Sequence, residues 1–470
     1  MDRAAWRAGS AEHRAALEPL VRALVRNEPH PELDVLREKA GRRRLARGRL
    51  PSGEACFLKH YPSGRGRHAL RDTLKRVLDL TPAAREFWAL RRLHAAGVEV
   101  PEPLAYYRLR SGERVLVTRL LEGEPLGRAL GRCAPEQRTL IESVGRLVAR
   151  LHAAGFVHRD LHRGNVWVTP GGPVLLDCPA VLPLRLRWLR RQDLGKLDAS
   201  LAASLSLADR VRLRAAALGT SRPFTPEVRR EIRALGEVSD ERRRTHLHSR
   251  TRRSLFPGRL YARFRTSRGS GMRLRAADEA ILRQALEGGG TEPGPLRVLR
   301  FERDAASRWR PSPARRIWVA GQGLRARGIG VPAVLAFVEQ RRWGRVVRSA
   351  VVLEALPTAS PTALGGPAGW LREAVELGTA MRRDRVAHER LGEATLCRGA
   401  AGGLALVDLD GVRFPRRLSA RDEERIDDFV IRLVAASDAS PAEQEDAIAR
   451  YRLRTRFLPG APARIKRPRS

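Results

Sequence analysis

One short segment, residues 158–177, constrains the fold of this chain more than any other. It begins His-Arg-Asp-Leu-His-Arg-Gly-Asn, continues with two short apolar runs joined by Pro-Gly-Gly, and ends at Asp177. Apolar runs separated by such a turn predict a β-hairpin. Asp160 and Asn165 precede its first strand and Asp177 follows its second, so the hairpin brings two carboxylates and a carboxamide to one end. Asp and Asn are also common in ordinary turns, but here their type, order and spacing match one chemical requirement.

That requirement is phosphoryl transfer, because His-Arg-Asp-Leu-x-x-x-Asn is the catalytic-loop signature of protein-kinase-like phosphotransferases. The reaction needs a carboxylate that accepts the proton of the attacking hydroxyl, and Asn and Asp side chains that hold Mg²⁺ at the phosphates. We assign the role of base to Asp160. Asn165 and Asp177 are predicted to bind the metal, with Asp177 as the principal ligand. His158 is expected to brace the loop from the core.

Two further parts of such a site lie upstream. Lys59 falls on a predicted strand, residues 55–61, at the end of a β-meander, and a lysine on this strand pairs with the nucleotide phosphates in kinases. Glu86 falls one turn into a helix that begins at Thr81-Pro82, where a hydroxyl cap is followed by a proline. Such a glutamate pairs with the strand lysine and positions it. We therefore predict a Lys59–Glu86 ion pair that binds the nucleotide.

The other nucleotide contacts rest on weaker patterns. A strand over residues 114–117 leads to Glu122, in the predicted hinge between two lobes, whose backbone would take the adenine. No Gly-x-Gly-x-x-Gly precedes Lys59, and only Gly41 and Gly48 lie in the right region, within an arginine-rich loop. The sequence leaves open how the phosphates are covered.

Composition and charge indicate the cellular location of the protein and the class of its partners. No apolar run reaches the roughly 18 residues of a membrane span, the first residues lack an apolar signal core, and four scattered cysteines show no paired spacing. We expect a cytoplasmic protein. The net charge of +38 predicts anionic partners and leaves peripheral association with the inner face of the cytoplasmic membrane open. Lysine occurs at only five positions, so arginine use partly reflects compositional bias, and no specific nucleic acid is expected.

Residues 35–220 resemble the bacterial lipopolysaccharide kinase family. The resemblance rests on the order Lys59, Glu86, the signature and Asp177, and on the Ala-Arg-Glu-Phe-Trp and Gly-Val-Glu-Val-Pro segments around the helix. It implies a two-lobed protein-kinase-like α+β fold, ATP and Mg²⁺ as cofactors, and 3-deoxy-manno-octulosonic acid or heptose in the lipopolysaccharide core as acceptor. Cys-Pro follows Asp177 where protein kinases have Phe-Gly, which argues against protein-kinase-style activation switching.

The C-terminal half predicts a second copy of the same fold in tandem. Residues 81–101 align without gaps with residues 312–332, and nine of the 21 positions are identical. Downstream, His388 and Asp408 stand at nearly the same offsets as the first and last residues of the 158–177 segment. Such internal repeats indicate duplicated structural units. An unrelated α/β domain with chance similarity is the alternative.

The second copy has lost most of its chemistry. The positions of the lysine, glutamate, base, asparagine and metal-binding aspartate carry Arg300, Ile317, Arg390, Thr395 and Asp408. An arginine cannot accept a proton, because its pKa exceeds about 12. We predict a degenerate, pseudokinase domain used for packing, regulation or substrate docking. Asp408 is either a turn carboxylate or a remnant that still binds a cation.

The predicted domains are a helical extension (1–33), a catalytic domain (34–225), the degenerate domain (226–460) and a basic, disordered tail (461–470). A basic, aromatic-containing run over residues 242–265 is either the solvated N-terminal β-region of the second domain, a patch for anionic lipid or lipopolysaccharide phosphates, or a nucleic-acid contact.

The leading hypothesis is an ATP- and Mg²⁺-dependent phosphotransferase that phosphorylates a sugar hydroxyl of lipopolysaccharide core or a related glycolipid. The alternatives are a kinase for a protein or another small molecule, and a non-catalytic kinase-fold scaffold that binds anionic surfaces. The acceptor hydroxyl and the oligomeric state are not determined by the sequence.

Overall fold

The computed structural model divides into two compact units, residues 1–243 and 244–470. The predicted domain boundary after residue 225 precedes this division. Gly41 and the predicted tail lie outside the described residues. The structure describes every residue except 1–4, 10, 40–42, 63–80, 110, 132–133, 203, 221–223, 289–295, 303–310, 356–366, 393–394, 399–402, 438 and 457–470.

The first unit opens with a six-stranded antiparallel sheet of order β1-β5-β6-β4-β3-β2. Its strands and two associated helices are β1 (Ala5–Gly9), α1 (Ala11–Arg26), β2 (Leu33–Lys39), β3 (Arg43–Arg49), β4 (Ala55–Tyr61), α2 (Pro82–Ala95), β5 (Pro103–Arg108) and β6 (Arg114–Arg119). The predicted β-meander and the helix after Thr81 are therefore confirmed.

A mostly helical part follows. Its elements are β7 (Glu124–Pro125), α3 (Leu126–Ala129), α4 (Ala134–Ala153), β8 (Val166–Thr169), β9 (Gly172–Leu175), α5 (Arg187–Leu201), α6 (Leu207–Ala217) and α7 (Pro226–Arg253), which contains the division between the units. Strands β8 and β9 form the predicted hairpin, with Val166 opposite Leu175. The unit thus combines a mainly antiparallel sheet region with a mostly helical region, so the predicted α+β class is confirmed.

Alternation along β4 places the lysine on the correct face of the sheet. Cys56 and Leu58 are fully buried in a core shared with α1, where Leu20 and Leu24 meet them. Because successive strand residues point to opposite faces, Lys59 faces the other side. The core that α1 covers thus leaves the opposite face of β4 for chemistry.

The local sequence of α2 positions its glutamate. Thr81 accepts a hydrogen bond from the Ala84 amide at 3.3 Å, and Pro82 takes the first helical position. The buried face of the helix carries Phe87 and Leu90 beside Glu86, which is only 1% exposed. An acidic group on an apolar face needs a partner, and the neighbouring strand supplies one.

The second unit contains a five-stranded antiparallel sheet of order β10-β11-β13-β14-β12, followed by helices and short hairpins. Its elements are β10 (Tyr261–Thr266), β11 (Gly269–Leu274), α8 (Glu279–Glu287), β12 (Leu296–Glu302), α9 (Pro313–Arg327), β13 (Val334–Arg342), β14 (Arg345–Glu354), α10 (Pro367–Asp384), β15 (Ala387–His388), β16 (Leu396–Arg398), β17 (Leu404–Leu406), β18 (Val412–Arg413), α11 (Ala420–Ala435) and α12 (Pro441–Arg456). Across the described part of the chain, every helix is too short or too polar to span a membrane.

Candidate active site

A partly buried lysine joins two carboxylates that are distant in sequence. Lys59 Nζ donates to Glu86 Oε1 at 2.7 Å and to Asp177 Oδ1 at 2.9 Å. Tyr61, two residues along the same face of β4, donates its hydroxyl to the other Glu86 oxygen at 2.9 Å. The structure therefore brings together three of the residues singled out from the sequence. Tyr61 is an addition that alternation along the strand could have identified.

The charges at this cluster are strongly stabilised. Burial alone would lower the pKa of Lys59, but the Glu86 and Asp177 carboxylates outweigh it and raise that pKa. Burial would raise the pKa of Asp177, and the ammonium of Lys59 instead lowers it below its usual value. Arg43 on β3 adds a second cation, 3.8 Å from Asp177. The lysine is consequently cationic and the aspartate anionic at any physiological pH.

The catalytic loop is closed by hydrogen bonds that leave the side chain of Asp160 exposed. Asn165 Nδ2 donates to the Asp160 carbonyl at 2.9 Å, and the Asn165 carbonyl accepts from the Leu176 amide at 2.9 Å. The second bond ties the loop to the strand that leads into Asp177. The loop thus orients Asp160 through its backbone, while its carboxylate faces solvent.

Asn165 and Asp177 fit a magnesium site. Both line one cavity of about 230 Å³, and carboxylate and amide oxygens are the ligands that Mg²⁺ accepts, usually together with water and substrate phosphates. Asp177 holds a left-handed backbone conformation, φ 52°, uncommon for a residue other than glycine. Such strain is typical of functional positions, where the surrounding structure fixes the residue.

Both polar and apolar side chains line the same cavity. Its polar residues include Lys59, Glu86, Asn165 and Asp177, and its apolar residues include Leu45, Phe57, Leu121 and Trp167. A flat apolar group could lie against the indole of Trp167 while a charged group reaches Lys59. Glu122 itself is exposed, and Leu121 beside it lines the cavity.

Asp193 on α5 anchors the catalytic loop, and sequence patterns gave no indication of it. Its carboxylate, 1% exposed, accepts from the His158 amide at 2.5 Å and from the Arg159 amide at 2.7 Å. Arg159 has φ 65°, and the Lys196 ammonium donates to its carbonyl. A single buried carboxylate therefore holds the strained turn directly before Asp160.

His158 braces the loop from the core, as its sequence context predicts. It is fully buried, and its Nε2–H donates to the Leu176 carbonyl at 3.1 Å. The carbonyl can only accept, so Nε2 carries the proton and Nδ1 is left unprotonated in the neutral ring. Burial lowers the pKa of His158 below its ordinary value of 6.5.

This histidine predicts an acid-sensitive fold. Its folded-state pKa lies below that of the unfolded chain, so the unfolded state takes up the proton first as pH falls below about 6.5, and stability declines by up to about 1.4 kcal/mol per pH unit. Between pH 7.5 and pH 5.5, the thermal unfolding midpoint should fall more for the wild-type chain than for His158→Gln. The glutamine keeps a donor for the Leu176 carbonyl. Equal declines in both proteins would contradict this role.

The prediction that Arg300 takes the place of the strand lysine in the second unit is wrong. Its guanidinium donates to the Ala285 carbonyl on α8 at 3.1 Å, on the face of the sheet that packs against that helix. The side chain is therefore engaged away from the face on which a nucleotide-binding lysine would lie.

Strand pairing identifies the residue that takes this position. In the first unit, Tyr106 is the fifth residue after Pro101, the last residue of the aligned segment. Tyr106 lies opposite Leu116 on the next strand, and Leu116 lies opposite Lys59. In the second unit, the fifth residue after the corresponding proline is Phe337, and the same two steps across the sheet lead to Leu299. Leu299 packs against the core, so this path ends at an apolar side chain in the second unit and at Lys59 in the first.

A lysine–glutamate pair joined to an aspartate after a catalytic-loop hairpin, beside a sheet followed by helices, defines a protein-kinase-like domain. Residues 30–216 match the model of the lipopolysaccharide kinase (Kdo/WaaP) family. The family resemblance read from the sequence is confirmed over these residues.

Known relatives match part of the chain. A 3-deoxy-D-manno-octulosonic acid kinase of Stenotrophomonas maltophilia (strain K279a) is 35% identical over 121 residues, covering 24% of this chain and 47% of that protein. A 3-deoxy-D-manno-octulosonic acid kinase of Xanthomonas campestris pv. campestris (strain B100) is 32% identical over 162 residues, covering 32% of this chain and 63% of that protein. The chain thus spans about half the length of the first of these relatives.

A solved structure of WaaP in complex with acyl carrier protein is 22% identical, with a TM-score of 0.37, and covers 52% of this chain and 97% of that chain.

Proposed function

We propose that this protein is an ATP- and Mg²⁺-dependent phosphotransferase that phosphorylates a sugar hydroxyl of lipopolysaccharide core or a related glycolipid. The observation that carries the proposal is the joint contact of Lys59 with Glu86 and Asp177 beside the catalytic-loop hairpin. The family match over residues 30–216 and relatives named as 3-deoxy-D-manno-octulosonic acid kinases support the sugar acceptor.

The residues divide the work of phosphoryl transfer. Lys59, held by Glu86, orients the nucleotide phosphates. Asn165 and Asp177 would hold Mg²⁺, which neutralises charge on the phosphate oxygens when bound. Asp160 is exposed and accepts the proton of the sugar hydroxyl, because a carboxylate at this loop position can be reached by an acceptor outside the nucleotide cavity.

A membrane-borne acceptor accounts for the surface charge. Each lysine or arginine near an anionic leaflet contributes roughly 1 kcal/mol of attraction, and the chain has a net charge of +38. We therefore place the protein in the cytoplasm, with peripheral binding to the inner face of the cytoplasmic membrane.

An acceptor screen with the full chain tests the function. Radiolabelled ATP and Mg²⁺ are incubated with a lipopolysaccharide core fragment that contains 3-deoxy-manno-octulosonic acid, with a peptide mixture, or with no acceptor. We expect label on the core fragment alone. Label on peptides alone would assign a protein acceptor instead, and absence of transfer to every acceptor would favour a non-catalytic scaffold.

We further propose that the second unit is a degenerate copy of the first. His388 Nε2 donates to the Asp408 carbonyl at 2.7 Å, the same type of bond that His158 makes to Leu176. The Arg390 guanidinium lies 3.1 Å from the Asp408 carboxylate. An internal cation therefore occupies the place where a metal would be needed, and the pair satisfies the carboxylate's charge.

The strand order of the second sheet supports the same proposal. In the first unit, β3 and β2 extend the sheet beyond β4, and Arg43 on β3 reaches the nucleotide cavity. In the second unit β12 stands at one end of the strand order. Among the residues that the structure describes, the second sheet therefore has no counterpart of β3 and β2.

Two matched substitutions separate the units. Asp177→Asn should reduce phosphoryl transfer by about 100-fold or more, because it removes the charge of the principal metal ligand. Asp408→Asn, the same change at the corresponding position, should leave transfer within about twofold. Initial rates at saturating ATP and Mg²⁺ provide the comparison. A comparable loss in Asp408→Asn would show that the second unit takes part in the reaction.

A further inference from the structure

The second unit contains a cavity lined by four arginines that the proposed reaction does not use. Its volume is about 470 Å³, within the range of small-molecule sites. The four cationic side chains, drawn from two helices and two loops, are Arg250, Arg259, Arg275 and Arg325. None of the described residues that line this cavity is acidic.

The charges of these arginines are not balanced by carboxylates in the part of the chain that the structure describes. Arg275 donates to the Gly258 carbonyl at 2.7 Å, a neutral acceptor that leaves its charge uncompensated. Among the residues that the structure describes, no carboxylate forms an ion pair with any of the four. Elsewhere in the same unit, arginines such as Arg316 and Arg382 pair closely with aspartates. The cavity therefore concentrates positive charge that the fold does not neutralise.

The helix termini explain only part of this arrangement. Arg250 and Arg325 lie in the last turns of α7 and α9, where cations complement the helix dipole. Arg259 precedes β10 and Arg275 follows β11, and neither loop has such a dipole. Four cations from separate elements around one concavity thus need a further reason.

Two polar residues that line the cavity, Tyr261 and Gln322, are joined by a hydrogen bond. Gln322, 5% exposed, donates through Nε2 to the Val334 carbonyl at 2.8 Å, and the Tyr261 hydroxyl donates to its Oε1 at 3.4 Å. The positive charges of Arg250 and Arg325 act on the Tyr261 hydroxyl and oppose the increase in its pKa that burial causes. Both arginines line the cavity together with Tyr261 and Gln322, where they could meet one ligand.

We propose that this cavity binds a ligand that carries two or more phosphate groups on a carbon skeleton. Guanidinium groups match phosphate oxygens with paired hydrogen bonds, and four of them call for more than one negative charge. Leu260 and Leu274 line the walls beside them, which suits the carbon part of such a ligand. The site is independent of the proposed catalytic reaction.

Binding assays on the full chain test this site with two probes. Pyrophosphate represents a soluble ligand with two phosphate groups, and phosphatidylcholine vesicles containing cardiolipin represent a lipid headgroup with two phosphate groups. The test variant is Arg250→Ala/Arg325→Ala, whose side chains are exposed. The control is Arg342→Ala/Arg345→Ala, an equal loss of charge at an exposed hairpin of the same unit.

We expect the test variant to weaken binding of at least one probe about tenfold or more, because each charge-assisted hydrogen bond to phosphate is strong. The control should change it by less than about twofold. Loss for pyrophosphate assigns a soluble ligand, and loss for vesicles alone assigns a headgroup. Equal weakening by both variants, or no arginine-dependent binding of either probe, would overturn the proposal. Arg259→Ala, a loop substitution, provides a second variant with the same expected direction.

Discussion

Asp160→Asn is expected to slow phosphoryl transfer by about 10²- to 10⁴-fold while nucleotide affinity stays within about twofold. Removing a general base typically costs this much, and an amide cannot accept the proton of the acceptor hydroxyl. The bond that closes the loop runs from Asn165 to the backbone carbonyl of Asp160, so the substitution preserves it. Initial transfer rates, measured beside binding of a fluorescent ATP analogue, separate the two effects.

The matched control is the same aspartate-to-asparagine substitution at a surface position. Asp34→Asn replaces an exposed aspartate on β2 of the same unit, and should leave both the rate and the nucleotide affinity unchanged. If Asp160→Asn kept a rate within about threefold of the wild type, Asp160 would not be the base, and the assignment of the catalytic loop would fail.

Asp193→Ala is expected to damage both stability and activity. It removes the acceptor for the buried amide of His158 and for the amide of the exposed Arg159, and an unsatisfied buried group costs about 1–3 kcal/mol. We therefore expect the free energy of unfolding of the first unit to fall by about 1–3 kcal/mol. Without this anchor, the strained backbone of Arg159 can relax, which moves Asp160 from its position. Transfer should fall by about 100-fold or more.

The conservative variant Asp193→Asn separates the effect of this anchor on the position of Asp160 from its effect on stability. An amide oxygen can still accept one of the two backbone hydrogen bonds, so thermal stability should lie between those of the wild type and Asp193→Ala. Activity measured below both unfolding midpoints should follow the same order. Wild-type activity in a folded Asp193→Ala protein would show that the anchor has no part in positioning the base.

The catalytic elements could be predicted because their signals are local. Alternation on β4 and the capped start of α2 predict where Lys59 and Glu86 lie, and a turn between two apolar runs predicts the hairpin before Asp177. Each signal depends on a few neighbouring residues, whose conformational preferences survive in the folded protein.

Other features depend on tertiary contacts that no local pattern encodes. Asp193 is one acid in an arginine-rich helix, and only its burial against the amides of the catalytic loop distinguishes it. In the second unit, Arg300 and Leu299 are adjacent, and choosing between them requires the register across two neighbouring strands. A shift of one residue reverses the face of a strand, which is why the sequence comparison selected the wrong side chain.

The strand order of the second sheet could not be predicted from local sequence patterns either. The alignment of residues 81–101 with 312–332 covers the helix and the connection into the next strand, and it contains no information about the strands before them. The edge position of β12 follows from pairing alone. The proposal that catalysis resides in the first unit therefore rests on the structure as much as on the substituted residues.

Mass spectrometry of the acceptor tests the central claim most directly. A lipopolysaccharide core fragment containing 3-deoxy-manno-octulosonic acid is incubated with ATP, Mg²⁺ and either the wild-type chain or Asp160→Asn. We predict that the wild-type chain adds one phosphate to a sugar hydroxyl of the fragment and that the variant leaves the fragment unmodified. Two results would contradict the account. The first is an unmodified fragment after incubation with wild-type protein that is folded and binds nucleotide, and the second is equal phosphorylation by both proteins.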